Sequence, residues 1–328
     1  MRDDDLNEER DNKVKALVTG GAGFIGSNIV KTLLEQGAEV TVLDDLSSGH
    51  EQNIAELVQA KDIRFVQGDI RDEAAVRAAM KGADTVFHLA ASVGNKRSID
   101  HPEIDSDINV NGTLRVLEAA RDLGVEKVVS SSSAGIYGEL KTIPIDEGHP
   151  IEPLTPYGVS KLYTEKQTLA FANTYGFEAI CLRYFNVYGP NQRFDAYGNV
   201  IPIFVFRALQ EQPIIIFGDG KQTRDFVHVA DVVQANIAAA RNRGVSGAFN
   251  IASGTQIEIL DLAQRINQYL PKPVNIEFGP TRMGDVLHSL ANISAAQSSF
   301  GYNPSKTIDA GLPEYVEWAQ KEFKNSKG

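Results

Sequence analysis

Apolar positions along this chain follow two rhythms. Short apolar runs occupy residues 14–18, 39–43, 63–66, 83–89 and 127–131, each bounded by charged or glycine-containing breaks. Runs of this length without polar alternation predict strands buried on both faces. Between them the apolar positions change to helical spacing. Phe24, Ile25, Ile29, Val30, Leu33 and Leu34 mark one such stripe. A second helix is predicted over 107–123, and a third opens at Pro156 and continues through Leu162, Lys166 and Leu169. Strands alternating with helices at this interval predict an α/β fold, a doubly wound parallel sheet of Rossmann-like form. The expected organisation is an acidic, disordered tail over 1–13 and a dinucleotide-binding domain over 14–185. A smaller α/β substrate-binding region follows over 186–328, and elements of it may return to the first sheet.

The breaks between elements carry the candidate chemistry. The first strand runs into Gly20, Gly21, Gly23 and Gly26 before the first helix. A glycine turn between strand and helix lets the backbone approach a diphosphate, and the helix N-terminus then aims free N–H groups at the anion. The second strand ends at Asp44, the distance beyond the glycines at which a carboxylate accepts both ribose hydroxyls of adenosine. A 2′-phosphate would be repelled there, so the pattern predicts NAD rather than NADP. Ala90 and Ala91 close the fourth strand with side chains small enough for a flat ligand. The fifth ends in serines at 130–133, where open α/β sheets bind ligands. Tyr157 and Lys161 lie four apart and share a helix face. A neighbouring ammonium and an oxidised nicotinamide would lower the tyrosine pKa toward that of a usable base.

Composition narrows the partners. The net charge of −11, with no basic run, argues against nucleic acid. No apolar run approaches the length of a membrane span. The single cysteine, Cys181, excludes an internal disulfide framework and fits a reducing, cytoplasmic setting. No metal site is predicted.

Ordered motifs extend the picture. TGGAGFIG (19–26), GDI (68–70), HLAA (88–91), NVNGT (109–113), SSSAGIYG (131–138), YGVSK (157–161), LRYFNVYGPNQ (182–192), RDFVHV (224–229) and RMGDV (282–286) follow one another in this order. With them the chain resembles the extended short-chain dehydrogenase/reductases, and among these the nucleotide-sugar 4-epimerases, from residue 14 to about 322. The resemblance implies that Tyr157 is the general base, Lys161 its activator and a nicotinamide-ribose ligand, and Ser133 a partner of the reacting sugar hydroxyl. It implies that NAD lies against Gly20, Gly23, Phe24, Ile25, Gly26 and Asp44. Asp69 and Ile70 would flank the adenine, while Leu89, Ala90, Ala91, Ser131, Tyr184 and Phe185 would line the remaining cofactor site. For a UDP-sugar substrate it implies Asn186, Arg224 and Arg282 at the diphosphate and Asp285 at the ribose. Asn199, Val200 and Phe217 would form the uracil pocket, with Ser289 at the sugar. A tyrosine at the position of Ser289 accompanies restriction to plain hexoses in such enzymes. Serine there, and the run Arg97-Ser98-Ile99, point to acceptance of N-acetylated sugars.

One departure stands out. Many 4-epimerases carry a lysine shortly after the segment matching HLAA, where this chain has Ser92-Val93-Gly94, with Lys96 and Arg97 slightly later. The resemblance also implies a homodimer built from the helices around Asn111 and Tyr157. A nucleotide-sugar 4,6-dehydratase, a decarboxylase and a UDP-glucuronate 4-epimerase are the neighbouring alternatives. Dehydratases place an Asp–Glu pair where this chain has Ala134 and Gly135. A non-catalytic NAD-binding regulator is the alternative from another class.

Overall fold

The computed structural model describes residues 13–194, 199–281 and 287–325. The expected tail, apart from Lys13, and both Arg282 and Asp285 lie outside these residues. In chain order the strands are β1 (Lys15–Thr19), β2 (Glu39–Asp44), β3 (Ile63–Gln67), β4 (Thr85–His88), β5 (Lys127–Ser133), β6 (Glu178–Tyr184), β7 (Asn186–Tyr188), β8 (Ile214–Phe217), β9 (Thr223–Arg224), β10 (Phe226–His228), β11 (Gly247–Ile251), β12 (Ile257–Glu258) and β13 (Ile276–Gly279). The helices are α1 (Phe24–Glu35), α2 (Ala55–Gln59), α3 (Glu73–Met80), α4 (Asn95–Asp100), α5 (Pro102–Ser106), α6 (Thr113–Leu123), α7 (Pro156–Tyr175), α8 (Val200–Leu209), α9 (Val229–Arg241), α10 (Ile259–Tyr269), α11 (Ser294–Phe300) and α12 (Ile308–Asn325).

Seven parallel strands form the central sheet in the order β11-β6-β5-β4-β1-β2-β3. The chain starts in the middle, winds outward to β3, then returns through β4 to the other edge. The order reverses between β1 and β4, and at such a switch point the carboxyl ends of the strands open a crevice. Adjacent residues of β1 show why both faces must be covered. Ala16 and Val18 pack with Ile29 and Val30 of α1, whereas Leu17 packs with Val76 of α3 and Val116 of α6. β11 belongs to the stretch beyond residue 185, so the central sheet draws on both parts of the chain. The second lobe buries its own core of Phe204, Val205, Ile216, Leu262, Leu312 and Tyr315. Short pairs, β7 with β10, β9 with β12 and β8 with β13, join that lobe to the edge of the crevice.

The five early strands fall where the apolar runs place them, with the fourth shorter and the fifth longer than expected. The helix expected over 107–123 begins earlier, at Pro102, and passes through a π-helical turn, Asp107–Gly112, before α6. Gly112 makes room for this turn, because a Cβ there would strike the side chain of Ile70.

Candidate active site

The glycine turn is shaped by contacts that exclude side chains. Gly20 has φ of +70°, and a Cβ on it would lie 2.7 Å from the Ala90 nitrogen. A Cβ on Gly26 would collide with the Gly20 carbonyl oxygen. Gly23 caps α1 in an extended conformation with no side-chain cap, so no side chain claims the N–H groups at the start of the helix. The Asp44 carboxylate sits beside the turn, accepting N–H from Ala22 at 2.9 Å and Leu46 at 2.8 Å. Burial raises its pKa, opposed by those two N–H groups. An uncapped helix start behind a side-chain-free turn, with a carboxylate at the end of β2, fits the diphosphate and ribose of a dinucleotide.

The rest of the predicted cofactor rim is unevenly placed. Leu89 and Ala90 follow β4 directly, donating to the backbone oxygen and hydroxyl of Thr19 at 3.1 and 3.3 Å. Asp69 is gripped by the Arg71 guanidinium, which holds its carboxyl below the usual range. Ile70 is buried under Gly112. Tyr184 turns its hydroxyl to Asn236 of α9 at 3.0 Å, and Phe185 packs near Tyr137.

At the carboxyl end of β5 the catalytic candidates meet. Thr155 caps α7 by accepting from Gly158, and Pro156 opens the helix. Tyr157 stands half-buried against Ser133, whose hydrogen bond favours its ionised form. A Cβ on Gly135 would lie 3.3 Å from Ser133 Oγ and 3.9 Å from the Tyr157 ring, so that glycine keeps the space beside both groups open. Lys161, one turn later, is buried and donates to the Ser131 carbonyl at 3.1 Å and to its hydroxyl at 3.0 Å. Burial pushes Tyr157 up to about 12 and Lys161 down to about 8. The expected lowering of the tyrosine by Lys161 is therefore not found in the protein alone. Desolvation outweighs the Ser133 hydrogen bond, and the ammonium is committed to Ser131.

Sequence reasoning missed the polar frame behind this pair. Asp105, buried, accepts from Ser160 Oγ at 2.7 Å and from Asn109 Nδ2 at 3.2 Å. Asn109 also exchanges bonds with both backbone groups of Ser92 at 2.8 and 3.0 Å. Ser160 precedes Lys161, so the frame fixes the catalytic face of α7. Asp105, Asn109 and Thr113 recur four residues apart, so a helix places them on one face, and that spacing is the signal that groups them. A further buried pair, Glu165 and Arg183 at 2.7 Å, joins α7 to β6, with Ser132 donating to the same carboxylate at 2.9 Å. Ser98, from the run that resembles the subgroup acting on N-acetylated sugars, accepts the Tyr157 backbone N–H at 3.0 Å and so docks α4 on α7.

Of the predicted substrate residues, Asn186, Asn199 and Arg224 gather around β7. Asn186 donates to the Asp225 carbonyl at 3.0 Å, and Asn199, which precedes Val200 at the start of α8, donates to the Val187 carbonyl at 3.4 Å. Arg224 donates to the Thr223 carbonyl at 2.8 Å. Phe217 ends β8, which packs on α8. Ser289 is buried. Asp225, missed although it lies in RDFVHV, is a buried hub whose carboxylate accepts from Ser253, Gly254 and Ala291. Among the described residues no cluster suits a metal ion and no helix is long and apolar enough to cross a membrane.

A strand–glycine–helix nucleotide crevice facing a serine–tyrosine–lysine set defines a dinucleotide-dependent enzyme of the short-chain dehydrogenase/reductase type. The NAD dependent epimerase/dehydratase family model matches residues 16–252, and the chain belongs to this family, with NAD as its cofactor. A UDP-glucose 4-epimerase of Mycolicibacterium smegmatis is 37% identical over 308 residues, covering 93% of this chain and 98% of the relative. A UDP-glucose 4-epimerase of Thermotoga maritima, solved with UDP-glucose, superposes with a TM-score of 0.89 at 36% identity, covering 94% of this chain and 100% of that one. A UDP-N-acetylglucosamine 4-epimerase of Methanobrevibacter ruminantium M1, solved with UDP-N-acetylmuramic acid, has the same TM-score of 0.89 at 33% identity, covering 94% and 99%.

Proposed function

We propose that this protein is a UDP-sugar 4-epimerase that interconverts UDP-N-acetylglucosamine with UDP-N-acetylgalactosamine, and UDP-glucose with UDP-galactose. The observation that carries the reading is the meeting of Tyr157 with Ser133 while Lys161 is held on Ser131. Gly20, Gly23, Phe24, Ile25, Gly26 and Asp44 hold the adenosine and diphosphate of NAD, and Lys161 the nicotinamide ribose. Bound NAD supplies a cationic hydride acceptor that returns the same hydride, leaving no net oxidation. Ser133 holds the C4 hydroxyl of the sugar and Tyr157 Oη takes its proton. The 4-keto sugar turns over within the site and presents its opposite face for hydride return, and Tyr157 gives the proton back to the C4 oxygen. Asn186, Arg224 and Arg282 anchor the diphosphate, Asp285 the ribose, and Asn199, Val200 and Phe217 the uracil. Tight hold on the nucleotide lets the sugar remain loose enough to rotate.

Ala134 and Gly135 favour this over dehydration, because neither offers an acid or base beside Tyr157. Exposed Ile99, Ile104 and Val159 on the adjoining α4, α5 and α7 support a homodimer through this face. The test is incubation with each of the four sugars and no added NAD, followed by NMR. The C4 epimer is expected as the product. A 4-keto-6-deoxy product would move the protein to the dehydratases, and no turnover of any of the four would overturn the reading.

A further inference from the structure

The segment that follows β7 reaches α1 directly and the glycine turn through Asn53. Arg193 makes an ion pair with Glu322 of α12 at 2.6 Å, with its guanidinium carbon 5.8 Å from the centre of the Trp318 ring. The same guanidinium donates to Asn53 Oδ1 at 2.8 Å. Asn53 in turn donates to the Ala22 carbonyl at 2.8 Å, inside the glycine turn. That peptide is held at both ends, since the next N–H, from Gly23, is bonded to the Gly20 carbonyl at 3.1 Å. Two further contacts fasten the segment to the first turns of α1. Asn191 donates to Ser27 Oγ at 3.0 Å, and Asn28 donates to the Pro190 carbonyl at 3.2 Å. Asn191 sits at φ of +73°, a left-handed conformation that asparagine adopts more readily than other non-glycine residues.

We infer that Arg193 is a positioning residue for the cofactor: through Asn53 it fixes the Ala22 peptide and so pre-shapes the turn that receives the dinucleotide diphosphate. A turn already held in its binding conformation loses little order when the ligand arrives, and that saving appears as affinity. Arg193 touches neither NAD nor the reacting sugar in this scheme. It ties the C-terminal helix, through α12, to the retention of a cofactor bound in the other half of the molecule. The inference rests on the reading that NAD occupies the turn beside Asp44.

The experiment measures NADH affinity by fluorescence titration of NAD-stripped full-length protein, with UDP affinity measured in parallel. Arg193→Ala and Asn53→Ala should each weaken NADH about tenfold, the scale of one charge-assisted hydrogen bond. UDP affinity should stay within about twofold, because the effect is confined to the turn. The double variant should be no weaker than either single one, since both cut the same link. Arg193→Lys, which keeps the charge facing Glu322 but not the fork to Asn53, should recover only part of the loss. Additive losses, equal weakening of NADH and UDP, or unchanged NADH affinity would overturn the inference. Asp44→Ala separates the two levels of argument. If it loses NADH while Arg193→Ala does not, the link alone fails, and if it binds NADH normally, the cofactor reading fails as well.

Discussion

Tyr157 and His88 show opposite uses of burial. Tyr157 is pushed up to about 12, so the isolated protein does not hold a phenolate at neutral pH. If Tyr157 is the base, as proposed, the positive ring of the oxidised cofactor would supply the missing stabilisation and tie base strength to cofactor occupancy. Tyr157→Phe should keep the fold and the NAD but lose about 10²–10⁴-fold in kcat, read in a coupled epimerase assay. A kcat near that of the unaltered enzyme would assign the base elsewhere. His88 is fully buried between the hydroxyls of Thr19 and Thr113, and burial, aided by the Lys161 charge, pushes it down to about 3. Its unfolded value is near 6.5. The neutral ring therefore contributes stability that is complete above pH 6.5 and is lost as pH falls toward 3. Asp44 and Asp105 have raised pKa values and act in the opposite sense. His88→Gln should lose less stability than the unaltered protein between pH 6.5 and 4, measured by urea midpoints at each pH. A parallel decline in both proteins would remove His88 from the acid response. At this scale the sequence displayed Tyr157, Lys161 and Ser133, which the structure brings to one end of β5. The sequence concealed Asp225, because nothing in a sequence distinguishes a buried carboxylate with partners from a solvated one, and it marked Asp105 only through its helical spacing to Asn109 and Thr113.

Among elements, the part around β1, the glycine turn and α1 was the most legible, since period and turn chemistry agree there. The π-helical turn before α6 was not, because it depends on Ile70 filling the space over Gly112, a contact between distant segments. The two-residue strands β9 and β12 are too short to leave any period. The seating of α7 on the sheet was equally hidden. Its apolar and polar residues are not segregated by face, and buried Ser160, Lys161, Thr164, Glu165 and Thr168 make its sheet-facing side polar. Polar groups partnered at Ser160, Lys161, Thr164 and Glu165 replace an apolar stripe, while the Thr168 hydroxyl is buried without a hydrogen-bond partner. The Glu165–Arg183 pair is the strongest of these joints, with two bonds of 2.9 and 2.7 Å. Glu165→Ala should cost about 3–5 kcal/mol of unfolding free energy, because the guanidinium stays buried without its partner. Denaturant unfolding measures it, and a loss below about 1 kcal/mol would show that water reaches Arg183 and replaces the carboxylate.

On the scale of the whole molecule, the segment proposed to border the sugar is pinned from both lobes. The residues flanking Ser289 are fastened on either side. Thr223 of β9 donates to the Leu287 carbonyl at 2.8 Å, and Ile145, from the loop between β5 and α7, donates to the Leu290 carbonyl at 2.8 Å. Asp225 accepts from the Ala291 N–H at 3.2 Å, and Asn292 donates back to Ile145 at 2.8 Å. A larger side chain at 289 cannot be accommodated by shifting this backbone without breaking bonds to both halves. It has to fill the adjoining space, which the family resemblance implies the sugar would occupy. Ser98 accepts the Tyr157 N–H, so within the site the expectation of N-acetylated sugars is tested at Ser289. Ser289→Tyr should abolish turnover of UDP-N-acetylglucosamine while leaving UDP-glucose kcat/KM within about tenfold, the range in which a hydrophobic pocket tolerates small changes of fit. Parallel assays of the two sugars with the same preparation decide it. Equal loss of both would show that the tyrosine disrupts the segment itself, and retention of the acetylated sugar would place Ser289 away from C2.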